Sequence, residues 1–465
     1  MKTTLRIATL GLMAVSATAF ASGIEFDMIH TVQQCQHEGH QPTWCDGATD
    51  IPASAAASGM DSRISAQLDH AMANPTKSRV YAAEFSFSNK VIQKKICDLG
   101  KAGVKVFVVL DAGSASNLDF IKQDPQGCQK DKTHPNLQAT LLGGFTDFPK
   151  WRLHHNKTVI VDAGDGSPYD IDFSSGNLSV FGTSLHMDHW VLMKVPATSN
   201  LARAEFCLFE GLKAADAEAK ADGMYAHGGA DFDKDPAVTK AYSDARDACY
   251  AKNHVLAQKD YEKAISQDKI APFYTPNNGG AAVSALKAQL NGIIAQAQSG
   301  KKGLYIYIAM EHFNRADIAA LLNKAANAGV DVGIVFNSST VTGTSEVEAD
   351  KPFMEQNLNN PRIKLRFVET NPQAGGNGQQ MHNKFTILNG QRIFSGAGHF
   401  TGGGLNNNWE TLYLSQSPEL TAKYAKYFKT LWDQSVDKAY LNTGSAIVPA
   451  PRLAKGLLDL ANSAE

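Results

Sequence analysis

Residues 155–162 read His155-Asn156-Lys157-Thr158-Val159-Ile160-Val161-Asp162, and the pattern returns once, at 382–389, as His382-Asn383-Lys384-Phe385-Thr386-Ile387-Leu388-Asn389. Each stretch is a short apolar run that begins with a His and a Lys two residues apart. In a β-strand, residues i and i+2 point to the same face. Each stretch is therefore expected to aim one imidazole and one ammonium into the same space. A His that can attack or donate a proton, beside a fixed positive charge, suits a phosphate ester.

The surroundings repeat as well. Ala102-Gly103-Val104 and Ala328-Gly329-Val330 are 226 residues apart, as are Tyr81 and Tyr307, and Phe87 and Phe313; the two His are 227 apart. An offset held to one residue indicates an internal duplication. In the first half, Val80 to Phe87 reads as a strand and Val91 to Lys101 as a helix closed by Gly103. Val104 to Asp111 then reads as a buried strand, completing a βαβ unit. The second half repeats this with Leu304 to Met310, Ala316 to Ala328 and Val330 to Asn337. Between them, residues 201–270 are rich in Ala, Lys and Asp. They read as exposed helices that connect the halves on the outside, without chemistry of their own.

Downstream of the first motif lies Ser174-Ser175-Gly176-Asn177, with Asp188 eleven residues past Asn177. Downstream of the second lies Gly396-Ala397-Gly398-His399, with Glu410 eleven past His399. With these residues the sequence resembles the phospholipase D superfamily, whose motif is H-x-K-x4-D, then G-S-x-N, then an acidic residue. The resemblance spans roughly 60–200 and 280–415. Together with the repeat it implies an α/β fold of two similar lobes, each a mixed, mostly parallel sheet flanked by helices, related by a pseudo-two-fold axis. The expected domains are a signal peptide at 1–21, a Cys-bearing lead at 22–55, lobe 1 at 56–200, the connector at 201–270 and lobe 2 at 271–465.

The residue chemistry agrees with what the resemblance implies. Phosphodiester hydrolysis needs a nucleophile, an acid for the leaving alkoxide and charge stabilisation. Two His can divide the first two tasks. Lys157 and Lys384 can hold non-bridging oxygens, with Asn177 as a neutral donor. Asp188 and Glu410 can fix the His tautomers. The resemblance makes the N-terminal His155 the nucleophile and His382 the acid. Asp162 completes the motif, although a strand-end Asp can equally serve its own backbone. The paired Lys supply the positive charge, so neither a metal nor another cofactor is expected.

The second motif departs from the family pattern: Asn389 stands for Asp, Ala397 for Ser and His399 for Asn. In the first, only Ser174 departs, replacing Gly. These departures leave open a non-catalytic binding protein. His399 could be a half-buried His with satisfied partners. Trp151, Trp190 and Trp409 could line a lipid-facing mouth or fill the core. His154 is assigned no chemical role.

Composition narrows the substrate. The chain has 465 residues, 43% hydrophobic and 19% charged, as in an ordinary soluble protein. Lys2 and Arg6, the apolar Ile7 to Val15 and Ala19-Phe20-Ala21 read as a secretory signal cut after Ala21. No stretch is long enough to span a bilayer. Beyond residue 21 there are 42 basic and 46 acidic side chains, a net of −4. That is not the profile of a protein that grips nucleic acid electrostatically. Cys35, Cys45, Cys97, Cys128, Cys207 and Cys249 behind a signal suggest disulfides, expected between nearest neighbours as 35–45, 97–128 and 207–249. Cys35, His37, His40 and Cys45 could instead hold zinc. The expectation is a secreted or periplasmic monomer that hydrolyses phospholipids at a membrane surface as a phospholipase D, with a nuclease of the same superfamily as the alternative.

Overall fold

The computed structural model describes residues 23–31, 60–120, 136–144, 152–221, 235–276, 279–342, 350–370, 378–443 and 448–464. The proposed signal, Trp151, Cys35, Cys45, Cys128, His37 and His40 lie outside these residues.

Two seven-stranded sheets form, one per lobe. The strands of lobe 1 are β1 (Glu25–Thr31), β2 (Arg79–Glu84), β3 (Lys105–Asp111), β4 (Leu137–Leu142), β5 (Lys157–Asp162), β6 (Tyr169–Ser174) and β7 (Asp188–Val195). Those of lobe 2 are β8 (Ile270–Tyr274), β9 (Tyr305–Met310), β10 (Asp331–Asn337), β11 (Ile363–Val368), β12 (Lys384–Leu388), β13 (Arg392–Gly396) and β14 (Thr411–Ser415). The spatial orders are β1-β7-β6-β5-β2-β3-β4 and β11-β10-β9-β12-β13-β14-β8. Read from the same edge, they are one arrangement used twice. Each sheet is mixed, with the βαβ crossovers supplying its parallel pairs: β2–β3–β4 in lobe 1 and β9–β10–β11 in lobe 2. The other four pairings in each sheet are antiparallel, so parallel pairs are the minority. The expectation of a mostly parallel sheet misses because after β4 the chain turns back and builds the rest as a meander.

The crossover helix Lys90–Ala102 is capped as its sequence suggests. Asn89 accepts from the amides of Val91 and Ile92, and Gly103 takes the left-handed conformation at φ 103° that a side chain would disfavour. Its counterpart Ala316–Asn327 ends before Gly329, at φ 90°.

Two expectations about the boundaries are corrected. Lobe 1 does not begin at 56, because β1, within the lead 22–55, is an edge strand of sheet 1, antiparallel to β7. Within 201–270, the described helices are not an external connector. The helix Asn200–Ala221 buries Leu201, Cys207, Leu208, Phe209 and Leu212, and Tyr242 of the helix Asp235–Lys252 joins them. These side chains share one core with Tyr81, Phe107 and Ile171 of lobe 1 and Tyr307, Phe385 and Tyr413 of lobe 2. Phe173 and Tyr413 stack across the lobes with centroids 3.9 Å apart. The two helices approach closely at Gly211, where a Cβ would lie 2.8 Å from Tyr242 O. Cys207 and Cys249 tie the two helices together in the expected disulfide. Cys97 is also disulfide-bonded. Among the described residues no helix is long and apolar enough to cross a membrane.

Candidate active site

Both motifs sit where the lobes face each other. The strands begin at Lys157 and Lys384, so His155 and His382 lie just before them rather than in the strand itself. They are pinned by backbone bonds from the opposite lobe: the His155 amide donates to Trp409 O (2.8 Å) and the His382 amide to Met187 O (3.1 Å). Asp111, at the end of β3, accepts the His154 amide at 2.8 Å and helps to hold this segment. Gly143 approaches so closely that a Cβ there would lie 2.5 Å from the His154 amide.

The acidic partners are crossed. Glu410 of lobe 2 meets His155 Nδ1 at 2.9 Å, and Asp188 of lobe 1 meets His382 Nδ1 at 2.9 Å. Both carboxylates are fully buried. The amide of Asp188 donates to the Thr31 hydroxyl and that of Glu410 to the Thr275 hydroxyl, each at 3.0 Å. Thr31 ends β1 and Thr275 follows β8, so the supporting bonds repeat in both halves. A carboxylate on Nδ1 fixes the proton there and leaves the Nε2 lone pair to react or to carry a second proton.

The rest of the set gathers around these pairs. Lys157 Nζ donates to His155 O at 3.0 Å and Lys384 Nζ to His382 O at 2.5 Å. Asn177 is half-buried with its Oδ1 lacking a partner among the described residues. The His399 ring lies 5.4 Å from that of His155 and 6.0 Å from that of His382, which places all three in one space. His399 sits at the position equivalent to Asn177. In both lobes the loop after this residue folds back tightly: a Cβ on Gly182 would meet Asn177 O at 2.3 Å, and one on Gly404 would meet His399 O at 2.5 Å.

Burial governs the charges. It holds His155 well below its ordinary pKa, assisted by Lys157, Lys384 and His382. His382 is lowered by burial too, but Glu311 pulls in the opposite direction. Burial lowers Lys157 to about 7 and raises Glu410 to about 8, with each partly offsetting the other. Lys384 is also lowered by burial, against Glu311, and Asp188 is raised by burial, against Lys384.

Residues 293–432 match the family model described as cardiolipin synthase, PLD-like domain. The fold matches phosphatidylserine synthase from Haemophilus influenzae over 86% of this chain and 90% of that one, at 11% identity and a TM-score of 0.51. Lobe 2 thus matches a PLD-like domain family, and the fold of both lobes is that of the Haemophilus structure. Nuc from Salmonella typhimurium, described as a phospholipase D family member, is 24% identical over 36% of this chain and 95% of its own, with a TM-score of 0.28. A comparison with curated proteins gave no match.

Against the superfamily motif, one sequence expectation changes. Asp162 is not in the site. It ends β5, accepts two bonds from Arg79 at 3.0 and 2.6 Å and one from the Gly164 amide. Asn389, its counterpart, lies at φ 53° and accepts from the Tyr305 amide at 3.3 Å. In both lobes the last motif position clamps the neighbouring strand, β2 or β9, so an Asn can replace the Asp. Trp190 and Trp409 are fully buried core residues rather than a lipid-facing mouth. His154 is buried, with Nε2 3.3 Å from the Asn156 amide nitrogen.

Sequence reasoning missed two features of this phospholipase D-like site. Glu84 and Glu311, at the ends of β2 and β9, are buried beside Lys157 and Lys384; their offset of 227 matches that of the two His and could have revealed them. Burial raises Glu84 well above the usual carboxylate range, whereas His382, Lys384 and His312 outweigh burial at Glu311 and hold it low. The second concerns Ala397. In lobe 1 the Ser175 hydroxyl donates to Asp188 at 2.7 Å. Ala397 cannot do this for Glu410, and Asn408 donates to it instead at 3.1 Å.

Proposed function

We propose that the protein is a phosphodiesterase of the phospholipase D type that hydrolyses glycerophospholipids through a phosphohistidine intermediate. The single observation that carries this reading is the crossed pairing of His155 with Glu410 and His382 with Asp188, with a Lys beside each. His155 Nε2 attacks phosphorus and the bond to the head-group oxygen breaks. His382, protonated on Nε2, gives that oxygen its proton. His382 then takes a proton from water, the oxygen attacks phosphorus, and the N–P bond breaks to leave phosphatidic acid.

The assignment of His382 as the acid is supported by Glu311. Its Oε2 lies 3.4 Å from His382 Nε2 and favours protonation of that ring, against the lowering that burial imposes. The corresponding Glu84 accepts from the Leu178 amide instead. Lys157, Lys384 and Asn177 bind the non-bridging oxygens in this scheme, and no step calls for a metal.

A phospholipid substrate is favoured over nucleic acid by the acidic balance of the chain and by the phospholipid-synthase descriptions of its family model and of the Haemophilus fold relative. The Cys207–Cys249 disulfide fits a secreted or periplasmic location, and we take the enzyme to act as a monomer at the membrane surface. The test compares head-group release from mixed phospholipid vesicles with plasmid cleavage, both in chelator. Phosphatidic acid formation is expected; plasmid cleavage with intact lipid would identify a nuclease, and no product from either would point to a binding protein.

A further inference from the structure

The two lobes differ most around their buried glutamates. In lobe 1, Glu84 is accompanied by Phe85, His155 and Asn177. The equivalent positions of lobe 2 are Glu311, His312, His382 and His399. Lobe 2 thus has two imidazoles where lobe 1 has a phenyl ring and an amide. All three face one atom: Glu311 Oε2 lies 3.4 Å from His382 Nε2, 3.7 Å from His399 Nε2 and 4.0 Å from His312 Nε2. One ligand atom each from Glu311, His382 and His399 fall within 4.8 Å of one another.

We propose that Glu311, His382 and His399 form a binding site for a borderline-soft divalent cation such as Zn²⁺, and that the bound cation switches the enzyme off by occupying His382 Nε2. Zinc bonds of about 2.0–2.2 Å to nitrogen and oxygen place neighbouring tetrahedral ligands roughly 3.4 Å apart. The spacings here need only small side-chain adjustments to reach that. His382 is also oriented as metal-binding imidazoles are. Asp188 holds His382 Nδ1 at 2.9 Å, which leaves Nε2 to donate its lone pair. His312 has the same arrangement, with Nδ1 on Asp350 at 3.0 Å, and stands edge-on to His399 at 4.6 Å, ready to serve as a fourth ligand.

Lys384 Nζ lies 3.5 Å from the same Glu311 oxygen. Its charge opposes a cation, so the site suits reversible occupancy rather than a structural metal. The inhibitory half of the proposal rests on the acid–base role given to His382 above; the binding half does not.

The experiment titrates the full-length protein with Zn²⁺ against a chromophoric chelator, following bound metal, melting temperature and phospholipid hydrolysis. One Zn²⁺ per chain is expected, with a raised melting temperature and with activity falling in step with occupancy and returning on chelation. His399→Asn, which installs the lobe 1 residue, should weaken binding at least tenfold, as should Glu311→Gln. His312→Phe checks the fourth ligand and weakens binding less. Circular dichroism of each variant separates loss of the site from loss of the fold. Equal Zn²⁺ binding by wild type and a folded His399→Asn would overturn the site. Binding at the site without inhibition would overturn the switch and count against His382 as the acid. Failure to bind would leave the hydrolytic reading standing.

Discussion

His155 is oriented by Glu410, a residue 255 positions away on the other lobe, at 2.9 Å from its Nδ1. His382 is oriented in return by Asp188. Neither lobe holds a complete catalytic unit, because each supplies the carboxylate that fixes the other's imidazole. This gives a buried polar contact between lobes that fails whenever their relative placement changes, and it couples the integrity of the interface to the chemistry.

The crossing separates the effects of the two carboxylates. Glu410→Gln keeps the shape but removes the carboxyl that fixes the proton on His155 Nδ1, so nucleophilic attack should slow whatever the leaving group. Asp188→Asn acts on His382 and should hurt most when the leaving alkoxide needs a proton. Each is expected to lower kcat roughly 10²–10⁴-fold on a phospholipid. On a nitrophenyl phosphodiester, Asp188→Asn should recover by at least tenfold and Glu410→Gln should not. Recovery of Glu410→Gln alone would show that each carboxylate serves its own lobe.

Asp162→Asn should change kcat by less than about threefold, and stability by no more than about 1 kcal/mol, because it alters only a part-exposed pair with Arg79. A 10²-fold loss in phospholipid hydrolysis, with an unchanged melting temperature, would return Asp162 to the site.

The fold was legible where apolar runs are long. The buried strands Lys105–Asp111 and Asp331–Asn337, and the helices ended by Gly103 and Gly329, were placed within a residue or two. The edge strand β1 was missed because Glu25–Thr31 alternates over only seven residues and is followed by polar sequence. The helix Asn200–Ala221 was misjudged because small Ala side chains give a weak periodic signal even when buried. The paired His and Lys could be read from their repeat. The partner of each His could not, since no local pattern encodes which lobe's carboxylate reaches which ring. Glu84 and Glu311 escaped because a single carboxylate at a strand end looks like a solvated one until its burial is known.

The inter-lobe core holds a buried carboxyl whose titration should make stability depend on pH. Glu205, buried in the helix Asn200–Ala221, accepts a 2.6 Å bond from Tyr413 of lobe 2, and burial raises its carboxyl to about 7. Its unfolded value is near 4.5. The folded state then holds a proton that the unfolded state releases, so this contribution is complete below pH 4.5 and is lost as pH rises through 7. Glu205→Gln keeps an acceptor for Tyr413 without ever ionising. It should match the wild type near pH 4.5 and exceed it by roughly 3 kcal/mol above pH 7, at 1.36 kcal/mol per pKa unit. Urea unfolding at pH 4.5, 6 and 8 measures this; parallel stability curves for the two proteins would refute it.

The division of labour between the two His is the most direct test of the mechanism. If His155 attacks phosphorus, the intermediate carries the phosphatidyl group on His155 while the head group leaves first. His155→Ala should then abolish turnover of every substrate, because no other group forms the intermediate. His382→Ala should lose roughly 10²–10⁴-fold on a phospholipid, whose alkoxide leaves poorly without a proton. The same variant should release nitrophenolate from an activated diester far more readily, since that anion needs little protonation. It should also accumulate the intermediate, because His382 is needed to activate the water that resolves it. Rapid quenching with a labelled substrate, followed by peptide mapping, should therefore find the label on His155, in higher yield in His382→Ala than in wild type. Label on His382, or rescue of His155→Ala by the activated ester, would reverse the assignment. Full activity in both variants would place the chemistry elsewhere in the protein.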